Sequence, residues 1–141
     1  MKVYIKQLHP GAELPAKKHD NDCCYDILAT SKEDLGDGRV RYGLGLAMTP
    51  DGLGMKTKIS LKSRSSVHKT GMILSNCIGV GDEGYTGEYQ AVFYDIIKAL
   101  PNYEVGDRIL QMEVEERFDL EFVQMNELPK SSRGKDGYGS T

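Results

Sequence analysis

Residues 76–88 constrain this chain more than any other stretch, because four of these thirteen residues are glycine. Glycine loses more conformational entropy on folding than any other residue, so this density indicates a backbone shaped for turns or close approach. Apolar runs at Met72–Leu74 and Ala91–Phe93 predict a loop or hairpin between two strands. The segment also contains Asp82 and Tyr85, and an acid and a ring on a bare backbone suit a hairpin that grips a small flat ligand. The alternative is an ordinary glycine-rich turn.

The rest of the chain shows short strands separated by frequent turn signals. At residues 55–62, apolar and polar side chains alternate with a period of two, which predicts a half-buried antiparallel strand. No segment carries a long helical period, so we expect little helix beyond one turn at residues 67–70. The sequence predicts an all-β sandwich or jelly roll. Further strands are predicted at residues 3–5, 39–42, 43–48 (ended by a turn at 49–52), 90–94, 108–114 and 118–123.

The length of 141 residues corresponds to one domain that can bury a core without disulfides or metals. The composition changes after Leu128, because residues 130–141 hold three glycines, three serines and almost nothing apolar. We therefore predict a β domain over residues 1–128 and a flexible glycine-rich tail over residues 129–141.

The net charge of −3 gives no basic excess to offset phosphates, which argues against a general nucleic-acid or membrane-surface partner. Since no apolar run approaches 18 residues and no signal-peptide pattern precedes the first strand, we expect a soluble, cytoplasmic protein. The three cysteines fit neither a disulfide framework nor a zinc site, so reduced thiols are expected.

Four further features could carry chemistry, although each has a simpler interpretation. Asp26 interrupts an apolar run, where alternation alone would place it facing solvent. In 63–66, a serine could cap a helical turn whose amides attract anions, and Arg64 offers a planar fork suited to phosphate. Gln111 lies in an apolar strand, as a hydrogen-bonded core glutamine also would. Tyr138 is isolated among glycines, as in many disordered ends.

Together and in this order, these features resemble the five motifs of the trimeric dUTP pyrophosphatase (dUTPase) family. The resemblance spans nearly the whole chain, from Val3 to Thr141. The matching segments are Cys24–Ala29, Arg64–Ser66 with Gly71, Gly79–Glu88, Gly106–Gln111 and the glycine-rich tail.

The resemblance implies a β jelly roll that forms a homotrimer with three active sites. Each site would take residues from all three subunits, and the tail would close the site of a neighbour. The thirteen residues of the tail reach about 40 Å at ~3.3 Å per residue, well beyond a subunit radius of roughly 14 Å.

The implied reaction is hydrolysis of dUTP to dUMP and pyrophosphate by attack of water on the α-phosphorus, assisted by Mg²⁺. Such an enzyme keeps uracil out of DNA and supplies dUMP for dTTP synthesis. By resemblance, Asp82 orients and deprotonates the water, and Asp26 holds the metal through water, as Mg²⁺ prefers few carboxylates together with substrate phosphates.

The resemblance also assigns the substrate contacts. Tyr85 would pack on the deoxyribose and exclude a 2′-hydroxyl, whereas Tyr138 would stack on uracil. Backbone groups of the glycine-rich segment would match uracil and mismatch cytosine at two positions, for discrimination of about 10²-fold or more. The phosphate-binding residues are Arg64, Ser65, Ser66 and Gln111, with Arg133, Ser140 and Thr141 clamping the γ-phosphate. The remaining substrate-binding residues are Asn76, Gly79, Val80, Gly81 and Gln90.

The chain departs from the family pattern at five positions. Gly81 replaces a bulky β-branched residue and Gly84 an acidic residue or asparagine, so a looser glycine-rich segment and weaker rejection of thymine are expected. Cys24 stands where glycine is usual, beside Asp26. In the tail, Tyr138 replaces phenylalanine and should preserve stacking, whereas Asp136 replaces glycine and should weaken the clamp.

Two alternative functions follow from the same residues. A dCTP deaminase shares the fold and the Arg-Ser-Ser segment and places a catalytic glutamate just past the third motif, where this chain has Glu88. A nucleotide-gated regulatory module that binds a protein partner is the other alternative, because a binding surface on this fold carries no motif.

Overall fold

The computed structural model describes residues 1–51 and 56–135. In these residues the structure has ten β-strands, and its helical segment is a 3₁₀ helix at Ser65–Lys69. The strands are β1 (Lys2–Gln7), β2 (Tyr25–Leu28), β3 (Ser31–Gly36), β4 (Arg39–Gly43), β5 (Leu46–Asp51), β6 (Thr57–Ser63), β7 (Met72–Leu74), β8 (Ile78–Gly81), β9 (Gln90–Asp95) and β10 (Arg108–Glu116).

The strands form three antiparallel sheets, ordered β1-β5, β2-β10-β6-β8 and β3-β4-β9-β7. Alternate residues of the two larger sheets face one hydrophobic core. Ile59 and Leu110 enter it from one sheet, and Tyr42 and Phe93 enter it from the other. The all-β prediction is therefore confirmed. In the part of the chain that the structure describes, no helix has the length and apolar character that a membrane span requires.

Most strand predictions are confirmed, but one turn prediction and one strand prediction are wrong. The predicted turn at 49–52 is strand at Thr49–Asp51, and Gly52 lies outside the described residues. Pro50 is tolerated there because β5 pairs only with β1, so its missing N–H can face the unpaired edge. Residues 118–123 form no strand, because they pair with no strand among residues 1–51 and 56–135.

The glycine-rich segment contains a strand that the sequence did not predict. The flanking strands β7 and β9 do pair, as expected, through Met72 and Asp95. Between them, β8 leaves their sheet and pairs with β6 in the other one. The segment is therefore fixed to both large sheets.

Candidate active site

Asp26 and Arg64 form a two-point ion pair. Arg64 follows the last residue of β6, and its Nε and Nη2 donate to the two carboxylate oxygens of Asp26 on β2 at 2.7 and 3.0 Å. Such parallel bonds fix orientation as well as charge. The Asp26 side chain is 19% exposed, so the pair is partly shielded from water but still accessible to a ligand.

Gln111 lies beside this ion pair because of the register of the sheet. It lies directly opposite Asp26 on the neighbouring strand β10, and directly opposite residues of antiparallel strands share a face. Its Nε2 donates to the Ser63 carbonyl at 2.9 Å, which holds the side chain beside the end of β6. Asp26, Arg64, Ser65 and Gln111 line one cavity of about 300 Å³. The structure thus brings together four predicted site residues from motifs one, two and four.

The Arg-Ser-Ser segment differs from prediction in its cap. Arg64, rather than a serine, is the N-cap residue of the 3₁₀ helix, and no side chain caps it. This arrangement follows because the guanidinium turns back to Asp26, and Arg64 Nη1 donates to Ser66 Oγ at 3.3 Å. Ser66 is therefore oriented by the arginine, and Ser65 is left facing the cavity.

Two cations that the sequence analysis did not single out complete this region. Lys69 and Arg108 line a second cavity, of about 540 Å³, with Arg64 and Ser66. Arg108 Nη1 also lies 3.7 Å from Asp26 Oδ2. Three positive side chains and one acidic side chain, Asp107, line this cavity, and the excess of positive charge favours an anion. Arg108 lies within the Gly106–Gln111 segment, but neither position has a sequence signal that separates it from a surface cation.

Asp82 and Tyr85 are the ends of a tight turn that follows β8. Tyr85 N donates to the Asp82 carbonyl at 3.1 Å, and between them Gly84 has φ +89°. L-residues with a side chain rarely adopt that conformation, so this turn favours glycine at position 84. Tyr85 is further fixed by its hydroxyl, which donates to the Glu88 carbonyl at 2.9 Å.

Gly81 is packed against a neighbouring tyrosine. Tyr89 is 5% exposed, and a Cβ on Gly81 would overlap its hydroxyl and lie 2.5 Å from its Cε1. The space that a β-branched residue would fill is thus filled by Tyr89. Burial raises the pKa of Tyr89, and the charges of Tyr85 and Asp82 raise it further.

The other predicted base-contacting residues lie on or beside β8, at the edge of its sheet. Asn76 is in the turn before the strand, whereas Gly79 and Val80 are within it, with the Val80 side chain exposed. Gln90 begins β9, and its Nε2 donates to Glu88 Oε2 at 3.3 Å. Glu88 Oε1 accepts a hydrogen bond from the Gly45 backbone N–H at 2.9 Å, so this carboxylate links the segment to the start of β5.

Asp82 lies far from Asp26 within one chain. Asp26, Gln111, Lys62 and Ile78 form one row across four strands, which spans about 14 Å. Asp82 is four residues beyond Ile78, or about 13 Å further along the strand direction. The backbone positions of the two aspartates are therefore on the order of 19 Å apart, too far for both side chains to act on one phosphate group.

The predicted tail residues are mostly beyond the described part of the chain. Arg133 is described and exposed, whereas Asp136, Tyr138, Ser140 and Thr141 lie outside the described residues. Before the tail, residues 118–128, here called the arm, have no regular structure. Six large apolar side chains of the arm are exposed: Phe118, Leu120, Phe122, Val123, Met125 and Leu128.

The described residues offer one carboxylate, rather than a protein cage, for a divalent cation. Within residues 1–51 and 56–135, no group of three or more histidine, cysteine or acidic residues could hold a metal ion. Asp26 fits Mg²⁺ nevertheless, because this ion keeps several waters and usually takes one or two carboxylates together with substrate phosphates. Each Asp26 oxygen retains accepting capacity beyond its bond to Arg64.

Comparisons with known proteins agree with this arrangement. The family model described as dUTPase matches residues 11–141. A deoxyuridine 5′-triphosphate nucleotidohydrolase from Helicobacter pylori is 28% identical over 100% of this chain and 97% of its own length. The corresponding protein from Nocardia farcinica is 32% identical over 99% of this chain and 84% of its own length.

Two solved structures share the fold. The dUTPase of Staphylococcus bacteriophage 80alpha, solved as a mutant with dUpNHpp, has a TM-score of 0.81 and 21% identity, covering 99% of this chain and 97% of the other. The dUTPase of phage phi11 of S. aureus, whose structure reveals the coordination of a structural Mg(II) ion, has a TM-score of 0.74 and 19% identity, covering 92% of this chain and 100% of the other. The family match over residues 11–141 is decisive: the chain belongs to the dUTPase family and hydrolyses dUTP.

Proposed function

We propose that the chain hydrolyses dUTP to dUMP and pyrophosphate at sites shared between the subunits of a homotrimer. Asp82 orients the attacking water and accepts its proton, and the water attacks the α-phosphorus. The Asp82 side chain is exposed beyond the end of β8, where a water and a ligand can reach it. Placing a general base next to the water supplies orientation as well as proton transfer.

The phosphate chain binds where the cations converge. Arg64, Ser65, Ser66 and Gln111 contact its oxygens, and Arg133, Ser140 and Thr141 of a tail clamp the γ-phosphate. The cavities beside Arg64, with Lys69 and Arg108 at one of them, support this assignment through their charge. Positioning and charge neutralisation are the main contributions of a protein to phosphoryl chemistry.

Mg²⁺, when bound, would neutralise phosphate charge and hold the triphosphate of the substrate in one conformation. Asp26 holds this ion through a water, and Arg64 fixes the Asp26 carboxylate in one orientation for that task. The residues of this chain thus supply one carboxylate, and the substrate supplies the other oxygens.

The base and sugar bind along β8. Asn76 and the backbone of Gly79, Val80 and Gly81 pair with uracil, since β8 is the last strand of its sheet and its outer edge is unpaired within the described sheets. Tyr85 packs on the deoxyribose, Tyr138 of a tail stacks on the base, and Gln90 lies beside Glu88 at the base of the segment.

The separation of Asp82 from Asp26 carries the trimer proposal. Two aspartates that lie roughly 19 Å apart in one chain cannot both act on one triphosphate. A neighbouring subunit can instead bring its Asp82 beside the Asp26, Arg64 and Gln111 of the first subunit. The family resemblance likewise implies a site that is built from residues of all three subunits.

The arm gives a second reason to expect a neighbour. Its six large apolar side chains are all exposed within eleven residues, and a monomer in water rarely retains so much exposed apolar surface in one segment. A groove of about 580 Å³ runs beside β1 and β10 and is lined by Val3, Ile5, Met112 and Val114, among others. In the proposed trimer the arm of one subunit packs on another subunit, and the tail then reaches a neighbouring site.

Deamination of dCTP is not favoured. Both carboxylate oxygens of Glu88, the residue that this alternative would use, are engaged, one by the Gly45 N–H and the other by Gln90. The regulatory alternative is also not favoured, because the curated relatives are nucleotidohydrolases.

The deciding experiment is steady-state turnover of dUTP, dTTP, dCTP and UTP with Mg²⁺, following both pyrophosphate and the base. We expect pyrophosphate release from dUTP, with dCTP at least about 10²-fold slower in kcat/KM and with dTTP and UTP also slower than dUTP. Comparable turnover of dTTP would keep the reaction and refute base selection by β8. Release of uracil nucleotide from dCTP, or no turnover at all, would refute the proposed function.

A further inference from the structure

Tyr89 packs against the glycine-rich segment on the side that faces the core. Its ring meets the ring of Tyr85 edge-on, with centroids 5.2 Å apart and an interplanar angle of 84°. Its backbone is fixed on both sides, since Tyr89 N donates to the Leu46 carbonyl at 2.8 Å and its own carbonyl accepts from Leu44 N at 3.1 Å. The Tyr89 ring is therefore held in a fixed position against the ring of Tyr85.

Tyr89 and Gly81 depend on each other sterically. Any side chain at position 81 would overlap the Tyr89 ring and hydroxyl, so one position can be large only if the other is small. Real Cβ atoms essentially never approach other atoms so closely; the tyrosine backbone is held by two hydrogen bonds and β8 by its pairing with β6. The pair therefore fixes the distance between β8 and the ring of Tyr85.

The Tyr89 hydroxyl is buried and has no hydrogen-bond partner among the described residues. Leaving a buried polar group unsatisfied is unfavourable, so the hydroxyl does not explain why this residue suits the position. Shape explains it, because the ring and its terminal atom fill the volume that Gly81 leaves open.

We infer that Tyr89 is a positioning residue that sets the sugar selectivity of the site through Tyr85. This inference rests on the proposed role of Tyr85 against the deoxyribose. With Tyr89 in place, the Tyr85 ring cannot retreat toward the core, and a 2′-hydroxyl has no room. A smaller side chain at position 89 gives the Tyr85 ring space to retreat, and the site then admits ribonucleotides.

The first test replaces the ring and keeps an apolar side chain. For Tyr89→Leu we expect the ratio of kcat/KM for dUTP to kcat/KM for UTP to fall by roughly 3- to 10-fold, the scale of one aromatic edge contact. Tyr89→Phe is the matched control, because it keeps the ring and removes only the unpartnered hydroxyl, and we expect an unchanged ratio. If Tyr89→Leu keeps the wild-type ratio and a folded, active enzyme, the inference is wrong.

The second test uses the steric dependence and does not require Tyr89→Leu alone to fold well. Gly81→Ala should lower kcat/KM for dUTP, because the added Cβ overlaps Tyr89. The double variant Gly81→Ala with Tyr89→Leu should recover at least part of that loss, since the overlap is removed. No recovery would show that the two positions do not share one volume and would overturn the inference.

A Tyr85→Leu variant separates this inference from the proposed function. If Tyr85→Leu lowers the dUTP to UTP ratio and Tyr89→Leu does not, only the inference about Tyr89 fails. If Tyr85→Leu leaves the ratio unchanged, the role of Tyr85 in the proposed function fails, and positioning through Tyr85 fails with it.

Discussion

The guanidinium of Arg64 binds the carboxylate of Asp26 at two points, 2.7 and 3.0 Å long, before any substrate is present. Each group therefore holds the other in place, so neither has to be ordered when the phosphate chain arrives. Preorganisation of this kind reduces the entropy that binding must overcome.

Replacing Arg64 by lysine tests the two-point geometry while it keeps the charge. Lysine is a point charge and cannot form two parallel bonds, so we expect kcat/KM for dUTP to fall by about 10- to 100-fold, the scale of one lost charge-assisted bond. The half-saturating Mg²⁺ concentration should rise as well. Arg41→Lys is the control, because Arg41 also binds one carboxylate, Glu33, through two nitrogens, but outside the site. Equal effects of both variants would contradict the proposed role.

Asp82→Asn should abolish most turnover without affecting the fold. The side chain is exposed, so we expect an unchanged melting temperature and a loss of about 10²- to 10⁴-fold in kcat, the usual contribution of a general base. Glu83→Gln, at the next residue, removes only a surface pair with Arg117 and should retain activity. Substantial turnover by Asp82→Asn would exclude Asp82 as the base.

Mixing two inactive variants tests whether sites are shared between subunits. Arg64→Ala damages one half of a site and Asp82→Asn the other half, so neither homotrimer should be active. If the variants are co-expressed in equal amounts and assemble at random, each mixed cyclic trimer has one site that combines two intact halves, which is about a quarter of all sites in the population. We therefore expect about a quarter of wild-type activity. If each site is formed by a single chain, no activity will return.

Phe122→Ser tests the arm. Phe122 is 89% exposed in the single chain, so a polar residue there should leave the stability of a monomer almost unchanged. If the arm packs on a neighbour, the same change removes a buried ring from the interface and shifts the assembly toward monomers, which analytical ultracentrifugation measures. Val105→Ser, at another exposed apolar residue, is the control and should leave the assembly unchanged.

The pH dependence of stability should depend on Asp95. Its side chain is 10% exposed, and hydrogen bonds from Asn102 and Lys98 lower the pKa of its carboxyl. Because the folded pKa lies below the unfolded value of about 3.9, this stabilisation is complete above that value and is lost as the pH falls through the folded pKa. In urea unfolding, Asp95→Asn should be less stable than wild type at pH 6, with a smaller difference near pH 3.

Asp20→Asn provides the control for that comparison. Asp20 is exposed, so its replacement should change the free energy of unfolding little. A difference between Asp95→Asn and wild type that is equal at both pH values would contradict the assignment.

The sequence was sufficient to predict a strand wherever the local pattern and the tertiary environment agree. The alternation through Thr57, Ile59 and Leu61 predicted β6 because one of its faces is buried. β3 was not predicted, since its residues are largely charged and exposed and only pairing with β4 makes it a strand. β8 was not predicted because its two glycines disfavour a strand locally.

The site could be predicted only through motifs that occur in a known order. The pairing of Asp26 with Arg64 joins residues that are 38 positions apart, and the complementarity of Gly81 and Tyr89 depends on a loop that returns Tyr89, just before β9, against the end of β8. Lys69 and Arg108 were missed because a cation in a cavity and a cation in solvent look alike in sequence. The predicted strand at 118–123 needs a partner strand, and the described part of this chain does not provide one.

The position of β8 at the end of its sheet has a consequence for aggregation and for ligand choice together. An open sheet edge is a template on which another chain can add, but β8 is only four residues long and half glycine, which makes it a poor template for a strand. A nucleobase carries its donor and acceptor within the length of two or three residues, so it fits an edge that a polypeptide cannot use. A longer edge would attract other proteins, whereas an edge this short suits the small molecule that the proposed function places there.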